Sequence, residues 1–102
     1  MLQGETVGLI KDFLTWKGGI VPNFDDSFLF LVSEVGELAD AVVANREQWA
    51  RNDLRKIRSI RKEIADVFMM LLLTADAGGI NLQDELREMM RSKGFFDKET
   101  NA

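Results

Sequence analysis

The sequence predicts an all-α fold, an antiparallel four-helix bundle that is completed by association with further copies of the chain. In four segments, apolar residues recur at the three- and four-residue spacing of a helix face, and no segment shows the strict alternation that is typical of a strand. Glycine pairs stand where two of these segments end. The chain has 102 residues, of which 46% are hydrophobic, and this size predicts one domain over residues 1–102.

The first predicted helix spans about residues 5–17, and the Gly18-Gly19 pair ends it because glycine accepts the left-handed conformation. The second helix spans about residues 26–49. Its N-cap is expected within residues 25–27, where Asp and Ser side chains can accept hydrogen bonds from the first turn. It carries one broad apolar face, which predicts packing against a neighbouring helix.

The third predicted helix spans about residues 54–77, with Asp53 as its cap. Its first half is basic and amphipathic. Its second half, residues 64–73, is apolar on every side except at Asp66. A helix that is apolar all round is buried all round, which in so small a domain predicts burial against a second subunit. The expected assembly is a homodimer or a homotetramer.

The fourth predicted helix spans about residues 81–93, with Asn81 as its N-cap and Gly94 at its C-terminal end. The tail, residues 97–102, is expected to be frayed. No internal repeat and no long linker divides the chain, so the four helices are expected to form one unit.

The composition excludes several classes of site. The absence of cysteine and histidine rules out thiolate or imidazole metal ligands and a histidine general base. The net charge of −4 argues against sequence-independent nucleic-acid binding, so the basic residues between 51 and 62 are interpreted as a solvated helix face or subunit rim. The longest apolar run, residues 67–73, is too short to cross a membrane, and the polar N-terminal segment is unlike a signal peptide. A cytoplasmic protein is expected.

Two pairs of acidic residues are the candidates for a metal-binding site. Glu34 and Glu37 are three residues apart on the second helix, and Glu63 and Asp66 are three residues apart on the third. Residues at this spacing are neighbours on one helix face. Both pairs lie beside apolar positions, where an unpaired carboxylate is costly. Acids paired with Arg and Lys at a subunit rim would also satisfy this pattern. A divalent cation is the simpler interpretation, and oxygen ligands alone favour Mg²⁺, with Mn²⁺ as the second choice.

At these residues the sequence resembles the MazG family of all-α nucleoside triphosphate pyrophosphohydrolases, whose superfamily includes dimeric dUTPases and phosphoribosyl-ATP pyrophosphohydrolases. The signature is Glu-x-x-Glu followed, after a spacer, by Glu-x-x-Asp. Here the spacer between Glu37 and Glu63 has 25 residues. The surrounding words Val-Gly-Glu-Leu-Ala and Glu-Ile-Ala-Asp-Val are similar as well, and the resemblance covers about residues 5–93. Ser33 stands where the family often has a second Glu, and Met89 where many members have a Lys.

The resemblance implies a Mg²⁺-dependent attack of water at the α-phosphorus of a nucleoside triphosphate, which yields a monophosphate and pyrophosphate. It implies that Glu34, Glu37, Glu63 and Asp66 bind the metal. One of the two glutamates of the first pair would also act on the water, with Glu37 preferred over Glu34. A role in cleansing the nucleotide pool fits this activity.

Substrate contacts are predicted less directly. Phe13, Trp16 and Phe30, with Lys17 and Asn23 as polar partners, are the candidates for contact with the base. On the fourth helix, Arg87, Arg91 and Lys93 are the candidates for contact with the phosphates, although a solvated helix end explains them equally well. Hydrolysis of dUTP or phosphoribosyl-ATP, and a non-catalytic helical interaction module of the same fold, remain alternatives.

Overall fold

The computed structural model describes residues 2–47 and 58–97. Within these two ranges there are four helices and no strand: α1 (Gln3–Trp16), α2 (Phe24–Ala44), α3 (Arg58–Ala77) and α4 (Leu82–Ser92). The all-α fold predicted from the sequence is confirmed. The second helix ends at Ala44, with Asn45 as its C-cap, and not near residue 49 as predicted. The predicted start of the third helix near residue 54 lies outside the described residues, as does the tail from residue 98 onward.

Glycines with a positive φ follow three of the helices, and Gly94 stands after α4 as predicted, with a φ of +81°. Gly18 has a φ of +82°, and the next amide, Gly19 N–H, reaches back to the Leu14 carbonyl at 2.9 Å. Gly79 follows α3 with a φ of +68°. These are the left-handed residues that satisfy the last carbonyls of a helix, and glycine adopts this conformation without a steric penalty.

The N-cap of α2 differs from the prediction. The Asp26 amide donates a hydrogen bond to Oδ1 of Asn23 at 2.8 Å, so Asn23 is the cap and the helix begins at Phe24, not within residues 25–27. The two acids of the first turn instead face the positive end of the helix dipole. Asn81 caps α4 as expected, and its Oδ1 accepts from the Asp84 amide at 3.0 Å.

Helices α2 and α3 form an antiparallel hairpin. At one end, Nδ2 of Asn45 donates to Oγ of Ser59 at 3.2 Å. At the other end, Phe24 lies so close to Gly78 that a Cβ on this glycine would be 3.1 Å from the ring. The end of each helix therefore meets the beginning of the other.

The two helices contact each other along a row of residues that we call the seam. Successive seam residues in each helix are alternately three and four positions apart, which keeps one side of the helix facing its partner. Every seam position is buried or half-buried. In α2 the seam consists of Ser27, Leu31, Glu34, Leu38 and Ala41; in α3 it consists of Ile60, Glu63, Val67, Met70 and Thr74. Two carboxylates thus occupy positions that would ordinarily be apolar.

Helix α1 packs against α3. Near its end, Nζ of Lys11 forms an ion pair with Oδ2 of Asp76 at 2.9 Å. At its start, the Gln3 amide both donates to the Ile80 carbonyl and accepts from the Leu82 amide, each at 2.8 Å. Gln3 therefore fastens the first turn of α1 to the connection between α3 and α4.

One side of the hairpin is an open apolar face. Its members each follow a seam residue by one position, and in two antiparallel right-handed helices this step rotates both side chains to the same side. Their exposed fractions range from 37% to 54%. The face consists of Phe28, Val32, Val35 and Val42 in α2, and of Ile64, Phe68 and Leu71 in α3.

Within a single chain, residues 64–73 are not buried all round, and their burial against a second subunit stays a prediction. Helix α4 makes few contacts with the other helices, and its Leu86 and Met89 are exposed as well. No helix in the described parts of the chain is both long and apolar enough to cross a membrane.

Candidate functional site

Three of the four predicted acids meet at the seam. Glu34, Glu37 and Glu63 each present a carboxylate oxygen, and these oxygens lie within 4.8 Å of one another. The fourth acid, Asp66, lies one turn further along α3, and its charge is close enough to act on Glu34. The spacing of these acids on each helix and the antiparallel packing of α2 on α3 bring them together. We call the four residues Glu34, Glu37, Glu63 and Asp66 the acid cluster.

The acid cluster contains two unsatisfied oxygens. Oε2 of Glu34 and Oε2 of Glu63 are buried and have no hydrogen-bond partner among the described residues. A buried carboxylate oxygen without a partner costs the desolvation energy of that group. Both glutamates stand in the seam, where α2 and α3 exclude water from one side of each carboxylate.

The pKa of the Glu34 carboxyl is raised above its ordinary value of 4.5. Burial is the largest cause, because it disfavours the charged form. A hydrogen bond with the Glu37 side chain and the negative charges of Glu37, Asp66 and Glu63 act in the same direction. The Glu34 carboxyl therefore ionises less readily than an isolated glutamate does.

These residues fit a hard divalent cation. The cluster supplies only carboxylate oxygens, which are the ligands preferred by Mg²⁺ and Mn²⁺. An ion between Glu34 and Glu63 would give each unsatisfied Oε2 a partner and would offset the mutual repulsion of the acids. The exposure of Glu37 leaves the cluster open on one side, which is where a ligand from solution would complete the shell.

Lys62 is a residue that the sequence analysis missed. Its Nζ lies 3.8 Å from Oε1 of Glu63 and 3.7 Å from Oδ2 of Asp66. The signal was present in the sequence, because Lys62 immediately precedes Glu63 and stands four residues before Asp66, a spacing at which opposite charges meet on a helix.

A cleft of about 240 Å³ lies beside the acid cluster. Phe30 is one helical turn before Glu34, and Met70 is one turn after Asp66, so the cleft continues the groove between α2 and α3. No side chain that lines it carries a charge or a polar group. The lining residues are Leu14, Ile20, Pro22, Phe30, Met70 and Leu73.

Of the predicted base-contacting residues, only Phe30 lines this cleft. The rings of Phe13 and Trp16 stack on each other with centroids 6.1 Å apart, and Nζ of Lys17 lies 5.3 Å from the centre of the Phe13 ring. Trp16 is 80% exposed. These three residues form a separate group at the end of α1, because residues three and four apart on a helix contact each other first.

The predicted phosphate-binding residues of α4 are not joined to the acid cluster by any ion pair within the described ranges. Nη1 of Arg91 binds Oε2 of Glu88 at 2.8 Å. Lys93 lines a different cavity, beside Phe95, and Arg87 is exposed. Within one chain, α4 thus has its basic side chains either engaged locally or open to solvent.

Gly36 stands between Glu34 and Glu37 in the chain. In the helix, however, two residues correspond to about 200° of rotation, so Gly36 faces away from the seam. Among the described residues, no atom lies within 4 Å of a Cβ placed on it, so packing inside this chain does not require the glycine.

Comparison with protein families identifies the domain. A family model for the MazG nucleotide pyrophosphohydrolase domain matches residues 24–93. The chain belongs to the MazG family. The match spans α2, α3 and α4 with all four acids, and membership indicates a nucleotide pyrophosphohydrolase, and hence a hydrolase. No curated protein and no solved structure matched the chain.

The extent of the match is shorter than the resemblance seen in the sequence. Helix α1 precedes the matched residues, so the family match says nothing about it. Only its contacts with the rest of the chain link α1 to the MazG domain. Phe13, Trp16 and Lys17 belong to that part, whereas Phe30 and the basic residues of α4 fall within the match. The residues most tightly linked to the family are therefore those of the hairpin and its acid cluster.

Proposed function

We propose that this MazG protein is a Mg²⁺-dependent nucleoside triphosphate pyrophosphohydrolase, which converts a (d)NTP and water into a (d)NMP and pyrophosphate. The observation that carries the proposal is the pair of buried oxygens, Oε2 of Glu34 and Oε2 of Glu63, which have no partner in the seam. A scaffold gains nothing from such a pair, whereas a metal site needs it.

In this proposal Glu34, Glu37, Glu63 and Asp66 hold the metal, with Mn²⁺ able to replace Mg²⁺. A metal held by these residues would neutralise charge on the phosphates and lower the pKa of a coordinated water. Glu34 and Glu63 provide the inner ligands because they stand in the seam, where packing holds their side chains in place. Glu37 and Asp66 stand at the open side, toward the substrate.

Glu37 is the residue we assign to the attacking water. Its side chain is exposed at the mouth of the cluster, and one of its carboxylate oxygens lies within 4.8 Å of those of Glu34 and Glu63, so it is both beside the metal ligands and accessible. The water oxygen forms a bond to the α-phosphorus while the bond from that phosphorus to the bridging oxygen breaks. Glu37 takes the proton of the water, and pyrophosphate leaves with the bridging oxygen.

The cleft beside Phe30 is the proposed position of the base. Its lining is apolar, and it adjoins the acid cluster at the distance of one helical turn, so a nucleotide can place its base there and its phosphates at the metal. An apolar cleft binds the faces of a base but reads few of its polar edges. We therefore expect modest discrimination among bases by this chain alone.

We further propose that the active protein is a homodimer or a homotetramer in which the open apolar face is covered by a second copy. Seven large apolar side chains on one side of the hairpin form a surface of the kind that marks protein contact sites. These side chains lie on α2 and α3, the two helices that also carry the acids. Association through this face would therefore also restrict movement between α2 and α3. Helix α4, which packs little on its own chain, would gain a partner in the same assembly.

A pyrophosphate-release assay tests the function. The purified protein is incubated with Mg²⁺ and each of the four ribonucleoside and four deoxyribonucleoside triphosphates, and with dUTP. We expect release of pyrophosphate and of the matching monophosphate from one or more of them. A strong preference for dUTP would assign the protein to the dUTPase branch of the superfamily.

Variants Glu37→Gln and Asp66→Asn serve as the decisive controls, because each removes one charge and preserves the shape of the side chain. Both are expected to lose at least about 100-fold in kcat/KM, which is the usual effect of removing a proton acceptor or a metal ligand. Glu88→Gln, which removes an exposed carboxylate on α4, is the matched control and should retain full activity. Activity that persists in both site variants would exclude the assigned residues.

A further inference from the structure

Lys62 gives the acid cluster a cation of its own. Its ammonium is within 4 Å of one oxygen of Glu63 and one of Asp66, and these are the two acids that α3 contributes to the cluster. In the described parts of the chain, no other ion pair involves the acids of the cluster. The side chain is 72% exposed, so it holds this place through charge and not through packing.

The contacts of Lys62 are shared and long. At 3.7 and 3.8 Å, neither is a close hydrogen bond, and the ammonium stands between two carboxylates without being locked to either one. A lysine on a four-carbon stem with rotatable donors can move several ångströms at little cost. The geometry is that of a mobile counter-ion.

The position of Lys62 on α3 sets where it can move. Lys62 precedes the seam residue Glu63 by one position, whereas the residues of the open apolar face follow a seam residue by one. Lys62 therefore lies on the other side of the hairpin from that face. Asp66, four residues later, lies on the same side. This is the side on which the cluster is exposed and on which the cleft lined by Phe30 begins.

A metal ion and Lys62 cannot both use these oxygens fully. A divalent ion bound by Glu63 and Asp66 would repel an ammonium less than 4 Å from the same carboxylates. The ammonium would then stand at the rim of the metal site. A nucleoside triphosphate arriving at that metal brings more negative charge than one divalent ion neutralises, so a cation at the rim has a new partner at hand.

We propose that Lys62 exchanges partners in the course of binding. Without metal it neutralises Glu63 and Asp66; once metal and nucleotide are bound, it binds a phosphate oxygen of the nucleotide. This inference rests on the proposed function for its second step only. It gives the MazG hairpin a phosphate contact from α3, independent of the basic residues of α4.

Two binding measurements on Lys62→Met test the exchange of partners. Loss of the contact with Glu63 and Asp66 should raise the affinity for metal, and loss of the contact with phosphate should lower the affinity for the phosphate ligand. Mn²⁺ alone, followed by the loss of the free Mn²⁺ signal in electron paramagnetic resonance, should bind about 3- to 10-fold more tightly, since a competing cation is gone. Inorganic tripolyphosphate, titrated onto the protein at saturating Mn²⁺, should bind about 3- to 10-fold more weakly, since a phosphate contact is gone. Lys62→Arg should restore the second affinity.

The matched control is Arg61→Met, which removes the same charge one residue away. Arg61 follows the seam residue Ile60 by one position, so it lies on the other side of the hairpin from Lys62. Arg61→Met should leave both affinities within about 2-fold of wild type, because exposed distant charges are screened by solvent. Lys62→Met affinities that both stay unchanged, or that both move in one direction, would overturn the exchange. If the wild-type protein hydrolyses no triphosphate and the opposite shifts still occur, the proposed function fails and the exchange stands.

Discussion

The carboxylates of Glu34 and Glu63 meet across the seam between α2 and α3, and each has its Oε2 buried with no hydrogen-bond partner in the described parts of the chain. A hairpin of two helices ordinarily places apolar side chains at such positions. The pair therefore lowers the stability of the metal-free fold, and a bound cation would remove that cost.

The first prediction concerns metal and stability. Mg²⁺ or Mn²⁺ at about 100 times its Kd is expected to raise the free energy of unfolding by about 2.7 kcal/mol, since it binds the folded chain alone. Glu63→Gln should abolish most of this gain and stabilise the metal-free protein by about 1 kcal/mol, because it removes a like charge from the cluster. Thermal and urea unfolding with and without metal measure both effects.

The control for this prediction is Glu88→Gln, which breaks an exposed ion pair with Arg91. It should cost less than about 1 kcal/mol and leave the metal response intact. An unchanged melting temperature of the wild-type protein on addition of either ion would exclude a metal site in the acid cluster.

The second prediction concerns pH. Because the pKa of Glu34 is raised above 4.5 in the folded protein, the folded state holds this proton more tightly than the unfolded chain does. The resulting contribution to stability is complete below pH 4.5 and is lost as the pH rises through the raised pKa. Without metal, the stability of the wild type should therefore fall relative to Glu34→Gln over this window.

Metal should reverse this trend, because ligands must be deprotonated to bind it. The stabilisation by Mn²⁺ is expected to grow with pH over the same window, and Glu34→Gln should show a weaker increase. Urea titrations at a series of pH values supply the data. Wild-type and Glu34→Gln stabilities that follow parallel curves in the absence of metal would show that Glu34 does not titrate as described.

The third prediction concerns association. Phe68 lies in the open apolar face with 54% of its surface exposed, so Phe68→Glu should shift the protein from an oligomer to a single chain in light scattering. Leu9→Glu makes the same kind of change at a leucine on α1 that is 60% exposed, and it should leave the mass unchanged. A wild-type protein that is a single chain at micromolar concentrations would contradict the proposed homo-oligomer.

The fourth prediction concerns the fastening of α1. Gln3→Ala removes two hydrogen bonds and leaves the Leu82 amide without its acceptor, so a loss of about 1–3 kcal/mol in the free energy of unfolding is expected. Gln83→Ala, at an exposed glutamine on α4, should cost less than about 0.5 kcal/mol. Equal losses in the two variants would mean that the hydrogen bonds of Gln3 contribute nothing particular to stability.

Several features could be predicted from local sequence patterns. The all-α fold follows from periodicity, and the glycine after α1 takes the left-handed conformation expected of it. Glu34 and Glu63 are beside apolar positions in the sequence, and the structure places both in the seam. These inferences involve residues within one or two turns of each other, where helix geometry alone determines which side chains are neighbours.

Other features depended on packing between helices. Phe13 and Trp16 were grouped with Phe30 as base contacts because all three are aromatic, but only Phe30 reaches the cleft. The N-cap of α2 is predicted within residues 25–27, but in the structure it is Asn23. Lys62 was overlooked because the basic segment around it was interpreted as solvated as a whole.

The sequence by itself determined the helical class, the two pairs of acids and the family resemblance, because each depends on residue type and on spacing along one helix. Only the tertiary structure decided that three of the acids converge within 4.8 Å, that the pKa of Glu34 is raised, and that Lys62 is the cation beside them. The reason is physical. Charge interactions and desolvation depend on distances across the seam, and these distances are set by how α2 and α3 pack, not by the order of their residues.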